Sequence, residues 1–434
     1  MGVLYKKLCR KPNLRKAARA VLANALLSTS ESTREDAKLF LARLEPNITD
    51  LRKQLVANTF VFPPARGVAA KKPGKTTRRP IVIAPIASRV VQRAILDVLS
   101  ALPFVQDIQK KAWNHGGVKD GGVAKAITRT YEGTIHYQYY VRTDIKDFFT
   151  QVPKVELLAI VTTHTDDKQF DELLRRAVNV ELGNLAELSQ HRDIFPLASR
   201  GVAQGSCLSP LLCNLLLHDI DERLNSNGTM SVRYIDDLII FASNRSQGLK
   251  ALKLLKHELK QFGLDAYEPS SKGTAAASAK AAAGETKDGF SFLGCDVSPE
   301  AISPGKKARA SLLSKVDALC NSALMSQRHL KMGTTELMTL SSDPTLLSTL
   351  WRISNTVRAW GGAFSFCTDK RIFRQLDADV IGKVSGFRKL WRSKIALLSE
   401  ADKERLTGMH LLDDTSFDES FAKMVASRDG TRAT

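Results

Sequence analysis

The sequence predicts an α+β fold in which a group of short strands lies between two helical regions. Apolar residues recur at helical spacing near both ends of the chain, with basic residues between them. In the middle, Tyr137–Thr143 is rich in aromatic and β-branched residues, as strands are. Val232–Ile235 and Leu238–Ala242 have the same character and are separated only by Asp236 and Asp237. We therefore expect a hairpin whose turn carries two adjacent carboxylates.

Changes in pattern along the chain predict four regions. Residues 1–60 form a helical N-terminal region, and residues 61–303 contain the strands. Residues 304–400 form a basic helical region, and residues 401–434 form a C-terminal tail. Between Lys306 and Lys394 the sequence has sixteen Lys or Arg and only six Asp or Glu. We expect this third region to face a polyanion.

Local signals give four further expectations. Asn47–Asp50 is expected to be a turn between helices, and residues 62–80 a basic hairpin or loop. Ser209 followed by Pro210 predicts a helix start, with Ser as the cap and Pro at the first position. Gly273–Gly289 is rich in Ala, Gly and Lys. It is expected to be a flexible insertion, or a short helix formed by its alanines.

Composition indicates the kind of partner. The chain has 434 residues, 64 Lys or Arg, 45 Asp or Glu, and a formal net charge of +19. The hydrophobic fraction of 43% is ordinary for a globular protein, so a core is expected. Because phosphate backbones are the commonest polyanions that proteins bind, the positive charge favours a nucleic-acid partner. A basic protein without such a partner is the alternative.

The cysteines and the N-terminus bear on location. None of the six cysteines forms a C-x-x-C pair or lies near His at zinc-ligand spacing, so they are expected to be reduced core residues. No apolar stretch follows the N-terminus as in a signal peptide, and no apolar run is long enough to span a bilayer. A cytoplasmic protein with no membrane partner is therefore expected.

Three carboxylates carry the candidate chemistry. Asp144 ends one predicted strand, while Asp236 and Asp237 occupy the turn between two others. A single Asp in a turn usually serves the turn itself. Two adjacent Asp between apolar strands are harder to explain in that way, because like charges in a partly buried place need a compensating cation. Carboxylates that converge from neighbouring strands form sites for hard divalent ions.

Five segments, in this order, resemble the motifs of reverse transcriptases. They cover roughly residues 60 to 300, and together they are far more specific than any one of them. The Y-x-D-D box and the first aspartate motif are the two that contain the three carboxylates. The five are Arg79–Ile81 with Arg89–Gln92, Arg142–Phe149, Gln204–Asn214, Tyr234–Asp237 and Phe292–Gly294.

The resemblance implies a right-hand polymerase, with fingers, a palm of antiparallel sheet and helices, and a helical thumb. It implies an RNA-directed DNA polymerase that uses two Mg²⁺ or Mn²⁺ ions. Asp144 and Asp236 would be the principal metal ligands, Asp237 would complete the acidic cluster, and the carbonyl of Ile145 would assist. The basic region after residue 304 would be the thumb, which tracks the phosphates of an RNA–DNA duplex.

The same resemblance implies residues that bind dNTPs and the primer. Arg78 and Arg79 would hold the triphosphate, and Gln204 would lie against the templating base pair. Phe149 would be the steric gate against a ribose 2′-hydroxyl, unless Phe148 and Phe149 both belong to the core. Lys272 lies where the family often has a lysine that protonates pyrophosphate. Phe292, Leu293 and Gly294 match the primer grip.

The type of reverse transcriptase is inferred from general similarity and from the signatures that the sequence lacks. No ribonuclease H carboxylate cluster, His/Cys-containing endonuclease, N-A-x-x-H signature or V-T-G signature is found in it. The chain is most similar to bacterial defence-associated and abortive-infection reverse transcriptases, which commonly work with a structured non-coding RNA. A retron-like or group II intron-like enzyme is the alternative within the family.

Two further alternatives belong to other classes. An RNA-dependent RNA polymerase shares the palm, although the Y-x-D-D box and Phe149 argue against it. An RNA-binding scaffold without catalysis would keep the fold, although the intact Asp144, Asp236 and Asp237 argue against it. The sequence leaves the template, the product, the priming mode and the oligomeric state open.

Overall fold

A computed structural model describes residues 1–71, 77–196, 199–226, 228–269, 280–326, 346–396 and 399–407. It contains helices and antiparallel sheets, which confirms the α+β class. The chain divides into two compact units. The first comprises Met1–Leu293 with Val297–Pro299, and the second comprises Gly294–Asp296 with Glu300–Thr434. The sequence places a boundary at residue 303, close to this division.

The N-terminal helices share the main core of the first unit rather than forming a core of their own. Helix α2 packs against α3, α4 and α5, and their buried side chains belong to one cluster. The predicted turn at Asn47–Asp50 is wrong, because a helix runs through it. Ile48, Leu51 and Leu55 are buried at helical spacing, and their burial outweighs the turn preference of the polar residues. These helices are α1 (Val3–Leu8), α2 (Lys11–Leu26), α3 (Glu31–Ala42), α4 (Leu44–Val56) and α5 (Ile86–Leu99).

Between α4 and α5, the basic segment forms the predicted hairpin. Strands β1 (Arg66–Lys71) and β2 (Arg78–Ile83) pair antiparallel, with Lys71 opposite Arg78. A small cluster of buried residues lies under this pair, separate from the main core, and it includes Val82 and Ala203. The hairpin therefore depends on a few apolar contacts.

A four-stranded antiparallel sheet occupies the centre of the first unit, in the order β4-β5-β3-β6. Helices α7, α12 and α13 pack against its strands. The strands are β3 (Tyr139–Asp144), β4 (Met230–Tyr234), β5 (Asp237–Ala242) and β6 (Ala282–Glu285). The remaining helices of the unit are α6 (Pro103–Gln109), α7 (Val123–His136), α8 (Phe148–Gln151), α9 (Lys154–Thr162), α10 (Lys168–Val178), α11 (Leu185–Leu188), α12 (Ser209–Leu224) and α13 (Arg245–Gln261), with 3₁₀ turns at Ser189–Ile194 and Thr286–Asp288.

Two local expectations are corrected around this sheet. Part of the expected insertion at Gly273–Gly289 is strand β6, which pairs with Tyr139–Arg142 of β3. Small residues suit the position because Gly284 lies beside the ring of Tyr140. Ser209 is the first residue of α12 rather than its cap, and its hydroxyl donates to the Ala203 carbonyl at 2.8 Å. Residues 273–279 of the expected insertion lie outside the described residues.

The second unit is helical over most of its described length. Buried side chains of α14, α15 and α16, among them Val316, Ile353 and Trp391, form its core. Its elements are β9 (Ile302–Pro304), α14 (Lys306–Ser326), α15 (Leu346–Ala363), α16 (Lys370–Ile395) and α17 (Glu400–Thr407), and the short strands β7 (Phe290–Phe292) and β8 (Cys295–Val297) lie at the division. None of the described helices has the length and apolarity needed to cross a membrane.

Candidate active site

The three carboxylates meet at one end of the central sheet. Strands β3 and β5 pair so that Asp144 stands opposite Asp237. The turn between β4 and β5 places Ile235 in the left-handed region, at φ 62°, and Asp236 follows it. The backbone N–H of Ile145 donates to the carbonyl of Asp236 at 3.0 Å, which ties the end of β3 to the turn. All four residues predicted as metal ligands are therefore brought together.

Burial and the neighbouring negative charges raise the pKa values of Asp236 and Asp237. Asp144 is only 7% exposed. Burial raises the pKa of Asp236, and the charge of Asp144 adds to that rise. Burial, followed by the charges of Asp236 and Asp144, raises the pKa of Asp237 to about 6. A cation placed among the three carboxylates would oppose these effects, so the site favours positive charge.

One such cation comes from the chain itself. The ammonium of Lys280 forms a short ion pair with Asp144 Oδ2 and lies over the ring of Tyr267, 5.4 Å from its centroid. Burial lowers the pKa of Lys280, but the hydrogen bond and the charge of Asp144 raise it by more, so that the net shift is upward. Lys280 is thus a lysine of the acidic site that the sequence analysis missed.

The sheet register explains why Lys280 was missed. Ala282 of β6 pairs with Arg142 of β3, so the same antiparallel register continued by two residues brings Lys280 level with Asp144. No local signal marks Lys280, because it lies in an alanine-rich segment with no recognisable strand pattern. The lysine predicted in its place, Lys272, lies outside the described residues.

The donor set fits magnesium. Mg²⁺ usually takes one or two protein carboxylates, keeps several waters and binds substrate phosphates, rather than sitting in an all-protein cage. The carboxylates of Asp144 and Asp236, with the carbonyl of Ile145, would supply oxygen donors of this kind. Among the described residues, no three His, Cys, Asp or Glu side chains are arranged to hold an ion by themselves. Any ion here would therefore complete its shell with water and substrate oxygens.

The two adjacent phenylalanines have different environments. Phe148 is 1% exposed and belongs to the main core. Phe149 is half-buried and packs at the edge of that core, with its ring centroid 5.7 Å from that of Phe148. Its carbonyl accepts a hydrogen bond from the N–H of Val202 at 2.7 Å. Of the two rings, only that of Phe149 is partly exposed.

The predicted template-side residues are tied to the hairpin. The N–H of Val82 in β2 donates to the Gln204 carbonyl at 2.7 Å. Gly205 has a φ of 120°, and a Cβ there would lie 2.4 Å from the Val82 carbonyl oxygen. Glycine is therefore required at this close approach of two backbones. Strand β2 and the segment around Gln204 are consequently held in a fixed position relative to each other.

The two arginines of the hairpin differ in their contacts. The guanidinium of Arg78 donates to the Ala69 carbonyl at 3.0 Å, so it serves the hairpin itself. Arg79 is exposed, and its charge lowers the pKa of Asp236, against the larger upward effect of burial. Of the two hairpin arginines, Arg79 is therefore the one whose charge acts on Asp236.

The predicted primer-grip residues form a turn next to the central sheet. Phe292 is 2% exposed, and Leu293 and Gly294 have φ values of 47° and 81°. The neighbouring Ser291 carbonyl accepts a short hydrogen bond from Arg142 of β3. Within the described part of the chain, no hydrogen bond or ion pair joins Phe292 or Leu293 to the three carboxylates.

Comparison with known proteins identifies the family. The reverse transcriptase (RNA-dependent DNA polymerase) family profile matches residues 70–297, just over half of the chain. The chain belongs to the reverse transcriptase family. Residues 70–297 accordingly have the right-hand polymerase fold of that family. Reverse transcriptases of this family generally depend on divalent metal ions, which agrees with the donor set at the end of the sheet.

Three relatives show how far the similarity extends. Protein YkfC of Escherichia coli is 28% identical over 221 residues, 49% of this chain and 54% of that protein. The group II intron-encoded protein LtrA of Lactococcus lactis is 25% identical over 183 residues, 41% of this chain and 28% of LtrA. An uncharacterised 91 kDa protein in the cob intron of Schizosaccharomyces pombe is 28% identical over 175 residues, 40% of this chain and 20% of that protein.

The chain thus spans about half, or less, of the length of these relatives. Among solved structures, a partial Cas6-RT-Cas1–Cas2 complex aligns with 60% of this reverse transcriptase and 42% of the other chain, at 21% identity and a TM-score of 0.34.

Proposed function

We propose that this reverse transcriptase is an RNA-directed DNA polymerase that adds dNTPs by two-metal nucleotidyl transfer on an RNA template. The observation that carries the proposal is the meeting of Asp144 with Asp236 and Asp237 at one end of the sheet, in a chain of this family. Asp144, Asp236 and the Ile145 carbonyl would bind the ions, and Asp237 would complete the negative field. Two bound divalent ions would lower the pKa of the primer 3′-hydroxyl and neutralise charge on the triphosphate.

Other side chains have roles in placing the substrate. Arg79 would hold the triphosphate through charge-assisted hydrogen bonds. Phe149 would close the space beside the sugar C2′ and so favour deoxynucleotides, and Gln204 would lie against the templating pair. Lys280, rather than Lys272, would stand beside the departing pyrophosphate, because it already lies next to Asp144.

The template is proposed to be a structured non-coding RNA, with a role in bacterial antiphage defence. The motif resemblance to defence-associated enzymes supports this role, and the net charge of +19 supports a nucleic-acid partner. The basic helices α14, α15 and α16 would follow the phosphates of the RNA–DNA duplex. A cytoplasmic location fits six free cysteines. The similarity to LtrA supports a group II intron-like enzyme as the alternative.

The decisive test is primer extension on an RNA template with Mg²⁺, comparing dNTPs with NTPs. Asp236→Asn and Asp144→Asn should each abolish synthesis while RNA binding is retained, because only the metal donors change. Asp219→Asn, an exposed residue of α12, is the matched control and should behave as wild type. DNA synthesis that survived Asp236→Asn would overturn the metal assignment. Incorporation of NTPs in preference to dNTPs would favour an RNA polymerase instead.

The partner RNA can be identified directly. Nucleic acids that co-purify with the wild-type chain and with Asp236→Asn should be sequenced in parallel. A single enriched structured RNA in both samples, with complementary DNA only in the wild type, is expected. RNA without any complementary DNA in the wild type would favour the non-catalytic scaffold.

A further inference from the structure

A buried arginine lies directly behind the acidic turn. Arg233, in β4, precedes Tyr234-Ile235-Asp236-Asp237, and it is 1% exposed. A guanidinium cannot lose its charge at ordinary pH, so burying it is unfavourable unless every donor is used. What Arg233 binds therefore indicates why an arginine stands at this position.

The guanidinium joins three different groups. Its Nε and Nη2 donate to the carboxylate of Asp221, at 2.9 Å and 2.6 Å, and Asp221 is also 1% exposed. Its Nη1 donates to Asn214 Oδ1 at 2.8 Å and to the carbonyl of Ile235 at 3.1 Å. Asp221 and Asn214 both belong to α12, so the guanidinium links this helix to the turn.

The same stretch of β4 is also held through its backbone. The N–H of Arg233 donates to the Trp113 carbonyl at 2.7 Å, and the N–H of His115 donates to the Arg233 carbonyl at 3.0 Å. Asn214 Nδ2 donates to the Gly116 carbonyl at 2.7 Å, which connects α12 with this second segment. The end of β4 is therefore fixed by α12 and by residues 113–116 together.

The contact with Ile235 is the one that reaches the site. Ile235 adopts a φ of 62°, a conformation that a β-branched residue rarely adopts. Its carbonyl belongs to the peptide that leads directly into Asp236. A donor that fixes this peptide therefore sets the direction in which the carboxylates of Asp236 and Asp237 leave the sheet.

We propose that Arg233 is a positioning residue: anchored by Asp221 and Asn214, it orients the turn that presents Asp236 and Asp237 to the metal ions. This inference builds on the proposed function, since it assumes that these carboxylates bind metal. The ion pair with Asp221 anchors the guanidinium, and its Nη1 donor reaches the carbonyl of Ile235 at 3.1 Å. Lysine would not reproduce these contacts, because its donors all lie on one nitrogen, whereas the guanidinium spreads its donors over Nε, Nη1 and Nη2.

The test compares Arg233→Lys with Arg223→Lys. Arg223 lies on α12 and pairs with Glu258 at 2.7 Å, and none of its contacts in the described structure reaches the turn. Primer extension is measured against Mg²⁺ and dNTP concentration, below the unfolding temperature of every variant. Mn²⁺ binding to the full chain without nucleotide is followed in parallel by electron paramagnetic resonance.

Arg233→Lys should lower kcat and weaken Mn²⁺ binding, each by about 10–100-fold, as loss of a group that orients a metal ligand typically does. The KM for dNTP and the affinity for RNA should stay unchanged, and Arg223→Lys should resemble wild type in all four measurements. A folded Arg233→Lys with wild-type kcat and Mn²⁺ binding would overturn the inference. So would equal losses in Arg233→Lys and Arg223→Lys.

Asp221→Asn covers the case in which Arg233→Lys does not fold. It keeps one acceptor oxygen toward Arg233 but removes the charge that anchors it, so a smaller loss in the same two measurements is expected. Wild-type kcat and Mn²⁺ binding in Asp221→Asn would also contradict the inference. Failure of the wild-type chain itself to make DNA would instead count against the proposed function, so the two failures are distinguishable.

Discussion

The acidic turn and the basic hairpin are built in opposite ways. Strand β5 behind Asp237 is buried from Leu238 to Ala242, and Arg233 behind the turn is 1% exposed. The hairpin of β1 and β2 is two-stranded, and most of its residues are exposed or half-buried. A small separate cluster of buried residues and the Val82–Gln204 backbone contact support this hairpin. The groups that would bind metal are thus fixed by the main core, while those that would bind the triphosphate lie on a more exposed pair of strands.

This difference matches what each group would have to do under the proposed function. Magnesium accepts little departure from octahedral geometry, so its ligands must be held in place before it binds. A triphosphate would arrive and its pyrophosphate leave at every addition, and the exposed side chain of Arg79 can meet it from solvent. The backbone contact between Val82 and Gln204 is where the hairpin meets the more rigid part of the first unit. Substitutions near the turn should therefore affect kcat, and substitutions in the hairpin should affect KM.

Among substitutions that leave the three carboxylates in place, the largest effect is expected from Gly116→Ala. A Cβ at this position would lie 2.5 Å from the backbone nitrogen of Ile235 and 2.9 Å from the carbonyl carbon of Tyr234, so the turn would have to move. A displacement of about 1 Å at a reacting centre can cost about 100-fold in rate, and we expect a fall in kcat of that order.

Steady-state primer extension measures this effect, and Gly361→Ala is the control because a Cβ there would lie in open space. If Gly116→Ala changed KM more than kcat, the result would contradict the expectation that displacement of the turn mainly lowers kcat.

Phe149→Val should have the next largest effect, on selectivity rather than on rate. Removal of the ring opens the space beside the sugar, so the preference for dNTP over NTP should fall by about 10–100-fold. Competition between the two nucleotides at equal concentration measures it. Phe148→Leu is the control: because Phe148 is 1% exposed in the core, it should lower the melting temperature and leave selectivity unchanged. Unaltered selectivity in Phe149→Val would show that Phe149 is not the steric gate.

Arg79→Ala should raise the KM for dNTP by about tenfold, the value of one charge-assisted hydrogen bond of roughly 1.5 kcal/mol. The melting temperature should stay the same, because the side chain is exposed. Steady-state kinetics at saturating template and thermal unfolding measure the two quantities. A fall in kcat with an unchanged KM would indicate instead that Arg79 acts on the acidic turn and does not bind the triphosphate.

The sequence predicts the acidic turn well because its signals are local. Apolar runs on both sides of Asp236 and Asp237 determine the hairpin, and the motif order identifies the strand that ends in Asp144. Lys280 could not be predicted in this way. Its place depends on the pairing of β6 with β3, two strands more than a hundred residues apart in sequence. The Ile235 contact of Arg233 is likewise a matter of side-chain packing that periodicity does not reveal.

The smallest effect on the KM for dNTP is expected from Arg78→Ala. This variant tests whether Arg78 and Arg79, which the sequence analysis assigned the same role, differ in function. Arg78 donates to the Ala69 carbonyl within the hairpin, and that bond contributes about 0.5–1.5 kcal/mol to local stability. Amide exchange in β1 and β2 should therefore become faster, while the KM for dNTP should change less than in Arg79→Ala. Arg78→Lys is the control, since an ammonium keeps the charge and a donor. A larger KM change in Arg78→Ala than in Arg79→Ala would reverse the two roles, because it would mean that the arginine bound within the hairpin, and not the exposed one, meets the triphosphate.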